Sequence, residues 1–129
     1  MSSNEGVAVA RRLYEGFAAR DMTAVAAMLH PEVRVYQAGA LPWAGTYEGP
    51  EGVGAFLRAL LGHVDPRVEI VDLFAAGDAV VQIGRSRGRA LATGRPFDAS
   101  EVHVLRIRDG LVARFEAFVD VAEFRRALS

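Results

Sequence analysis

The chain has 129 residues, 51% of them hydrophobic and 24% charged, with fifteen basic against sixteen acidic side chains and no cysteine. That is the size of one ordinary domain, here residues 1–129, around one core; it is too apolar for a disordered chain, and a net charge of −1 gives no field to draw in nucleic acid or an acidic membrane. Without cysteine there is no disulfide framework, no thiolate nucleophile and no cysteine-based metal site, which fits a cytoplasmic protein.

The first residues, MSSNEGVAVA, lack a basic region followed by a long apolar stretch, so no secretory signal is expected. No apolar run approaches the ~20 residues of a membrane span. Val7, Ala10, Leu13, Tyr14, Phe17 and Ala18 recur at helical spacing and predict a helix from about Asn4 to Ala19, with Ser2 and Glu5 as its capping box. Asp21 caps a second helix carrying Met22, Val25, Ala26, Met28 and Leu29, and His30-Pro31 ends it. Val33 to Tyr36 reads as a short strand. The stretch QAGALPWAGTYEG follows as a loop. Pro50 marks the start of a third helix with Val53, Phe56, Leu57, Leu60 and Leu61 as its apolar stripe, and Gly62 as its end. From there the period is two. Arg67 to Phe74, Ala79 to Arg87, Phe97 to Arg108 and Leu111 to Val119 read as strands joined by hairpins. Asp120 and Glu123 form a capping box for a short last helix, Val121 to Leu128. This order predicts an α+β fold, a curved antiparallel sheet wrapped around three helices as a cone with an interior.

The segment EVHVLRIRDG, residues 101–110, carries the main question. In a strand Glu101, His103, Leu105 and Ile107 share one face, so a carboxylate and an imidazole stand beside two aliphatics. A two-residue Asp109-Gly110 turn pairs Arg108 with Leu111, and puts His103 opposite Glu116 and Leu105 opposite Arg114. A three-residue loop with Gly110 left-handed pairs Ile107 with Leu111. His103 then faces Phe115, Leu105 faces Ala113, and Glu101 faces Ala117. The second register gathers the apolar side chains on one face and leaves Arg106, Arg108, Arg114 and Glu116 on the other, so the hydrophobic pattern favours it. Along this strand the inward face then passes from core filler to cavity lining, with Val102, Val104, Val112 and Phe118 on the outer side.

Two stretches, TGRPFDASEVHVLRIRDGLVARFEAFVD and HPEVRVYQAG with GTYEGPEGVGAFLRAL, resemble the SnoaL-like branch of the nuclear transport factor 2 superfamily, which includes ketosteroid isomerase-like proteins. The resemblance runs from about Val7 to Leu128. It implies a conical α+β fold, a homodimer through the outer sheet face, and a choice among polyketide cyclases, steroid isomerases, dehydratases, epoxide hydrolases and members without known activity. Fold alone does not choose. In the isomerases an acid on the long strand donates to the oxyanion, a position that falls on His103, and the base lies near Tyr36 or Gln37. In the cyclases a histidine matching His103 works with an aspartate on the next strand, where this sequence has Ala117.

His103 is therefore the candidate acid/base or donor to a ligand carbonyl; the alternative is an interior histidine satisfied by Tyr14, Tyr36 or a backbone carbonyl. Glu101, about 6–7 Å away between Cβ atoms, orients His103 or acts as base with it, or else sits at the sheet rim in water. Tyr14 and Phe17 belong to the inward stripe of the first helix and pack the core or touch the ligand. Trp43 is a wall, a lid or a packing plug. Tyr36 lines the mouth or points outward, and Phe115 is an apolar wall. Arg85, Arg87, Arg89 and Arg95 read as a solvated hairpin end. Three scattered histidines give no metal site, no GxxxxGK[ST] is present, and no serine stands in the strand-to-helix elbow of a hydrolase nucleophile. The expectation is a pocket for a small, largely apolar carbonyl compound, with no cofactor and no metal, used for acid/base isomerisation or ring closure. The alternative is a non-catalytic binding and dimerisation module.

Overall fold

The N-terminal stripe forms α1 (Ser3–Ala18), which buries Val9, Ala10, Leu13 and Tyr14. The structure is a computed structural model that describes residues 3–129; the Ser2 half of the expected capping box lies outside them. Asp21 caps α2 (Met22–Ala27), its carboxylate accepting from the Ala24 amide at 3.0 Å. This helix stops short of the expected Leu29. Met28 gives its carbonyl to the Val112 amide at 2.8 Å, and Pro31 disfavours helical backbone at His30. Leu29 to Pro31 instead open a nine-residue strand, β1 (Leu29–Gln37).

The stretch expected to be loop contains β2 (Gly45–Glu48), paired antiparallel with β1. Only Tyr47 of its four residues is half-buried, so it shows no alternation to read. α3 (Gly49–Leu61) starts at Pro50 as expected and turns Val53 and Phe56 inward. β3 (Val64–Ala76), β4 (Ala79–Ala90), β5 (Pro96–Arg108) and β6 (Leu111–Val119) are consecutive hairpins, and α4 (Val121–Leu128) closes the described chain. At α4 half of the expected capping box forms. Asp120 accepts from the Glu123 amide at 3.2 Å, but the Glu123 carboxylate turns to the Asp98 amide and to Arg126.

The six strands make one curved sheet in the order β2-β1-β6-β5-β4-β3. The cone is the expected one, with a difference in the sheet. β1 runs parallel to β6, so the sheet is mixed rather than antiparallel. Most of the chain separates those two strands, and a connection that long permits either direction.

The β5–β6 hairpin takes the two-residue turn of the first alternative, not the favoured three-residue loop, and then leaves both expected registers. Its turn has two residues, Asp109 at φ 55° and Gly110 at φ 73°, the positive pair that a tight primed turn requires. Arg108 accordingly pairs with Leu111 and Ile107 with Val112. Ala113 is then bulged, and the ladder resumes with Arg106 opposite Arg114 and Leu105 opposite Phe115. One extra residue switches the face of everything after it. Before the bulge Val112 points inward, so it leaves the outer face where it was expected; after it Phe115, Ala117 and Val119 point inward. The bulge thus yields the segregation of faces that the pattern demanded, but His103 lies opposite Ala117 and Glu101 opposite Val119.

Two apolar clusters fill the space between sheet and helices. One centres on Val33, Trp43, Phe97 and Phe124, the other on Val9, Leu105 and Val112, and Leu29, Leu57 and Phe115 touch both. Burying a side chain the size of Leu105 stabilises the fold by about 1.5–3 kcal/mol.

Candidate functional site

Where the two clusters meet they leave a cavity of about 120 Å³. An apolar cavity of about 150 Å³ takes benzene, so the space is of single-ring scale or slightly less. Its walls are apolar except for Tyr14, Gln37, Ser86, Glu101 and His103.

Sheet register explains the polar side. Gln37 pairs with Ala117, Ala117 with His103, and His103 with Gln82. The row crosses β1, β6, β5 and β4, with neighbours about 4.8 Å apart, and all four residues are buried. Ala117 is its one small apolar member, so the row has a gap between Gln37 and His103.

Glu101 and His103 are both buried, at 5% and 6% exposure; the rim position in water considered for Glu101 is not the one it occupies. The Tyr14 hydroxyl lies 2.8 Å from His103 Nδ1, and the two rings are nearly parallel, 12° apart. Gln82 Nε2 donates to Glu101 Oε2 at 2.7 Å and lies 3.1 Å from His103 Nδ1. The other ring nitrogen, Nε2, is 3.5 Å from Glu101 Oε1, too long for a strong hydrogen bond. Phe115 packs against the imidazole with centroids 4.7 Å apart.

Burial sets the charges. It lifts the Glu101 carboxyl to about 7, against the hydrogen bond from Gln82 that pulls it down. It depresses His103 to about 3, so the imidazole is neutral at physiological pH. The Tyr14 phenol is pushed up by burial and then by the nearby Glu101 charge, so its proton stays on. A neutral imidazole has one bare nitrogen, and with the Tyr14 hydroxyl donating to Nδ1 the ring proton sits on Nε2, on the side of Glu101.

The other expected residues divide. Phe17 lines the cavity, half-buried, with the Arg20 guanidinium 4.4 Å from its ring centre. Trp43 is 1% exposed and packs edge-on against Phe124 at 5.3 Å, so its loop turns inward as a wall of the cavity instead of lying over it. Tyr36 does not reach the cavity. Strand alternation turns Val35 and Gln37 inward, and Tyr36 is 40% exposed on the outer face, edge-on to Phe118 at 6.2 Å. Arg85 and Arg87 pair with Asp98 and Glu69 on the outside. Among the described residues no group of three or more His, Asp or Glu side chains is placed to hold a metal.

Gln82 and Ser86 were missed as supporting and lining residues, and Gln37 was named only as a position near the isomerase base. For Gln82 a signal existed: in AVVQIGRSRGRA it shares period-two register with Val80, on the face that an apolar core must cover.

A family model described as the SnoaL-like domain matches residues 10–115. No curated protein matches in sequence. Among solved structures, an NTF2-like protein of unknown function from Burkholderia pseudomallei is 32% identical, with a TM-score of 0.90 over 100% of this chain and 99% of that one. TerC, co-crystallised with polyporic acid, is 25% identical, with a TM-score of 0.87 over 96% of this chain and 98% of its own. An LEH-like epoxide hydrolase from M. tuberculosis shares the fold at 18% identity, with a TM-score of 0.79 over 98% and 90%.

Proposed function

The chain belongs to the SnoaL-like family, and on that premise we propose that it binds a small, largely apolar carbonyl compound in the cone and moves a proton on it without a cofactor. Isomerisation and polyketide-cyclase-like ring closure are the reaction types in view. One observation carries the reading: a buried carboxyl, Glu101, sits on the polar side of an otherwise apolar cavity with its pKa lifted to about 7. A carboxylate of ordinary pKa is a weak base at neutral pH, whereas one near 7 can both take and return a proton.

Of the roles open to the two residues, that of base then falls to Glu101 and that of donor to His103. A histidine held near 3 is a poor base, but its Nε2 proton is a suitable donor to the oxygen of a forming enolate. The Tyr14 hydroxyl on Nδ1 fixes the ring. Glu101 accepts the proton from the carbon beside the carbonyl and hands it back at the neighbouring position. The ligand's polar edge sits over Ala117, in the gap between Gln37 and His103. Where the cyclases have an acid on the next strand, this chain supplies one two residues away on the histidine's own strand. Phe115, Trp43 and Phe17 exclude water and so strengthen these hydrogen bonds. The co-crystallisation of TerC with polyporic acid supports a small-molecule ligand for a cone of this kind.

The outer sheet face belongs to the same reading. Tyr36, Ile83, Val102 and Phe118 are large, apolar and exposed there, and we take the protein as a homodimer through this face, working in the cytoplasm. A non-catalytic ligand-binding module is the second reading, favoured by Ala117, which faces the cavity at the position where the cyclases carry an acid.

The test is hydrogen–deuterium exchange at the α-carbon of 1-indanone in heavy water, followed by NMR. Glu101→Gln should slow the exchange by 10²-fold or more, the usual weight of a positioned base, and His103→Ala by a smaller factor. A Glu101→Gln protein that exchanges as fast as the parent removes the proton-transfer role. Indanone bound without exchange supports the binding module.

A further inference from the structure

Gln82 is fully buried on β4 and has one atom out of place. Its Nε2 serves Glu101 and His103, while its Oε1 has no hydrogen-bond partner among the described residues. Leaving an amide oxygen buried and unpaired is costly, and such an atom calls for a reason. The space it faces is specific. Gly84, the next inward residue of β4, pairs with Glu101, and a methyl group at Gly84 would strike both Gln82 Oε1 and the carbonyl oxygen of Glu69. Two acceptors therefore border one small space that only a glycine leaves open. Opposite, the other end of the amide meets a group that is an acceptor when ionised and a donor when protonated.

We propose that Gln82 is a positioning residue whose amide turns over with the proton on Glu101. When Glu101 is a carboxylate, Nε2–H donates to its Oε2, as the structure has it. When Glu101 is a carboxylic acid, its O–H donates to Gln82 Oε1 after a half-turn about the Cγ–Cδ bond. The amide nitrogen then faces the Glu69 carbonyl across the space at Gly84. No bond is made or broken in the turn; Oε1 gains a donor, while the amide gives up its contact with His103 Nδ1, which keeps the Tyr14 hydroxyl as its donor. The two orientations stabilise both protonation states of the same carboxyl, as a group that takes a proton and returns it requires. The depressing effect of the Gln82 hydrogen bond on Glu101 accords with the first state.

Other groups near Glu101 do not offer this service. His103 on its own strand and Tyr14 from α1 are the titratable groups facing it, and both keep to uncharged forms at neutral pH. β4 adds only uncharged Gln82 and Ser86, β6 adds Ala117 and Val119, and α3 and α4 face the cavity with apolar side chains.

The proposal rests on Glu101 carrying a proton, but its test needs no turnover. In the whole, ligand-free chain, labelled with ¹³C at glutamate carboxyls and ¹⁵N at glutamine amides, the two signals are followed against pH and assigned by Glu101→Gln and Gln82→Leu. The Gln82 amide signal should move with the same midpoint as the Glu101 carboxyl. In Gln82→Leu, which serves neither protonation state, that midpoint should rise by less than about one pH unit, because a turning amide stabilises both states, whereas an amide fixed with its nitrogen on the carboxylate would let it rise by more. A Gln82 amide signal that stays flat across the Glu101 titration overturns the proposal, and it does so in the parent protein even if neither variant folds. A Glu101 midpoint that rises by a full pH unit or more in a folded Gln82→Leu protein overturns it as well. Co-titration without α-carbon exchange would sink the reaction and keep the turning amide, whereas exchange without co-titration would do the reverse.

Discussion

Glu101 and His103 are displaced from their ordinary pKa values in opposite senses by the same burial, and this has a visible effect on stability. Glu101 titrates near 7 in the folded chain against 4.5 for the free side chain. Between those values unfolding releases its proton, so its contribution is complete below about pH 4.5 and is lost as pH rises through 7. His103 titrates near 3 against 6.5. Between those values unfolding takes up a proton, so its contribution is complete above about pH 6.5 and is lost as pH falls through 3. From pH 4.5 to 6.5 the two slopes cancel. Urea denaturation at a series of pH values should therefore find Glu101→Gln gaining stability relative to the parent by about 1.4 kcal/mol per pH unit across that window. His103→Asn should show the opposite slope. Parallel stability curves for parent and Glu101→Gln would mean that the carboxyl is not buried as described.

At the scale of elements, the β5–β6 hairpin decides which side chains the cavity receives. Its turn needs positive φ at Asp109 and Gly110, a region that side chains with a Cβ enter at a cost of about 1–2 kcal/mol. Gly110→Val should lower the unfolding free energy by at least that amount, read from the urea midpoint. Asp109→Gly should be neutral or stabilising, because it removes the same penalty. Equal stability for Gly110→Val and the parent would contradict the turn. The bulge at Ala113 is the more consequential feature. Without it Phe115 and Ala117 would face the outside, and Arg114 and Glu116 would face the core.

For the whole molecule, the outer sheet face is where a second copy would sit. Tyr36 and Phe118 touch there, with Val102 and Ile83 on the neighbouring strands. Exposed apolar side chains grouped on one face commonly mark an interface. Analytical ultracentrifugation should find a dimer for the parent and a monomer for Phe118→Glu combined with Val102→Arg, each charge being costly to bury unpaired. A parent that sediments as a monomer at micromolar concentration would remove the dimer. The inner face is untouched by those substitutions, so indanone binding by the separated chains is expected to persist.

The sequence by itself determined the elements whose signal is local. The period-two runs of β5 and β6, the stripe of α3 and the Asp21 and Asp120 caps were all legible, because each depends on residues a few positions apart, whereas the three-residue loop favoured at Asp109-Gly110 gave way to a two-residue turn. It also determined that Glu101 and His103 share a face, since alternation within one strand needs no partner. Tertiary structure decided the rest. Whether His103 meets Phe115, Glu116 or Ala117 depends on one bulged residue, whose cost is local and whose benefit is the segregation of the whole sheet's two faces. β2 exists because β1 offers it an edge, and Tyr36 points outward because β1 must turn Val35 and Gln37 to the core. Gln82 reaches Glu101 and His103 only through the pairing of β4 with β5, about twenty residues along the chain. The pKa values that make Glu101 a candidate base arise from burial by all of these elements together, a property that no short stretch of chain possesses.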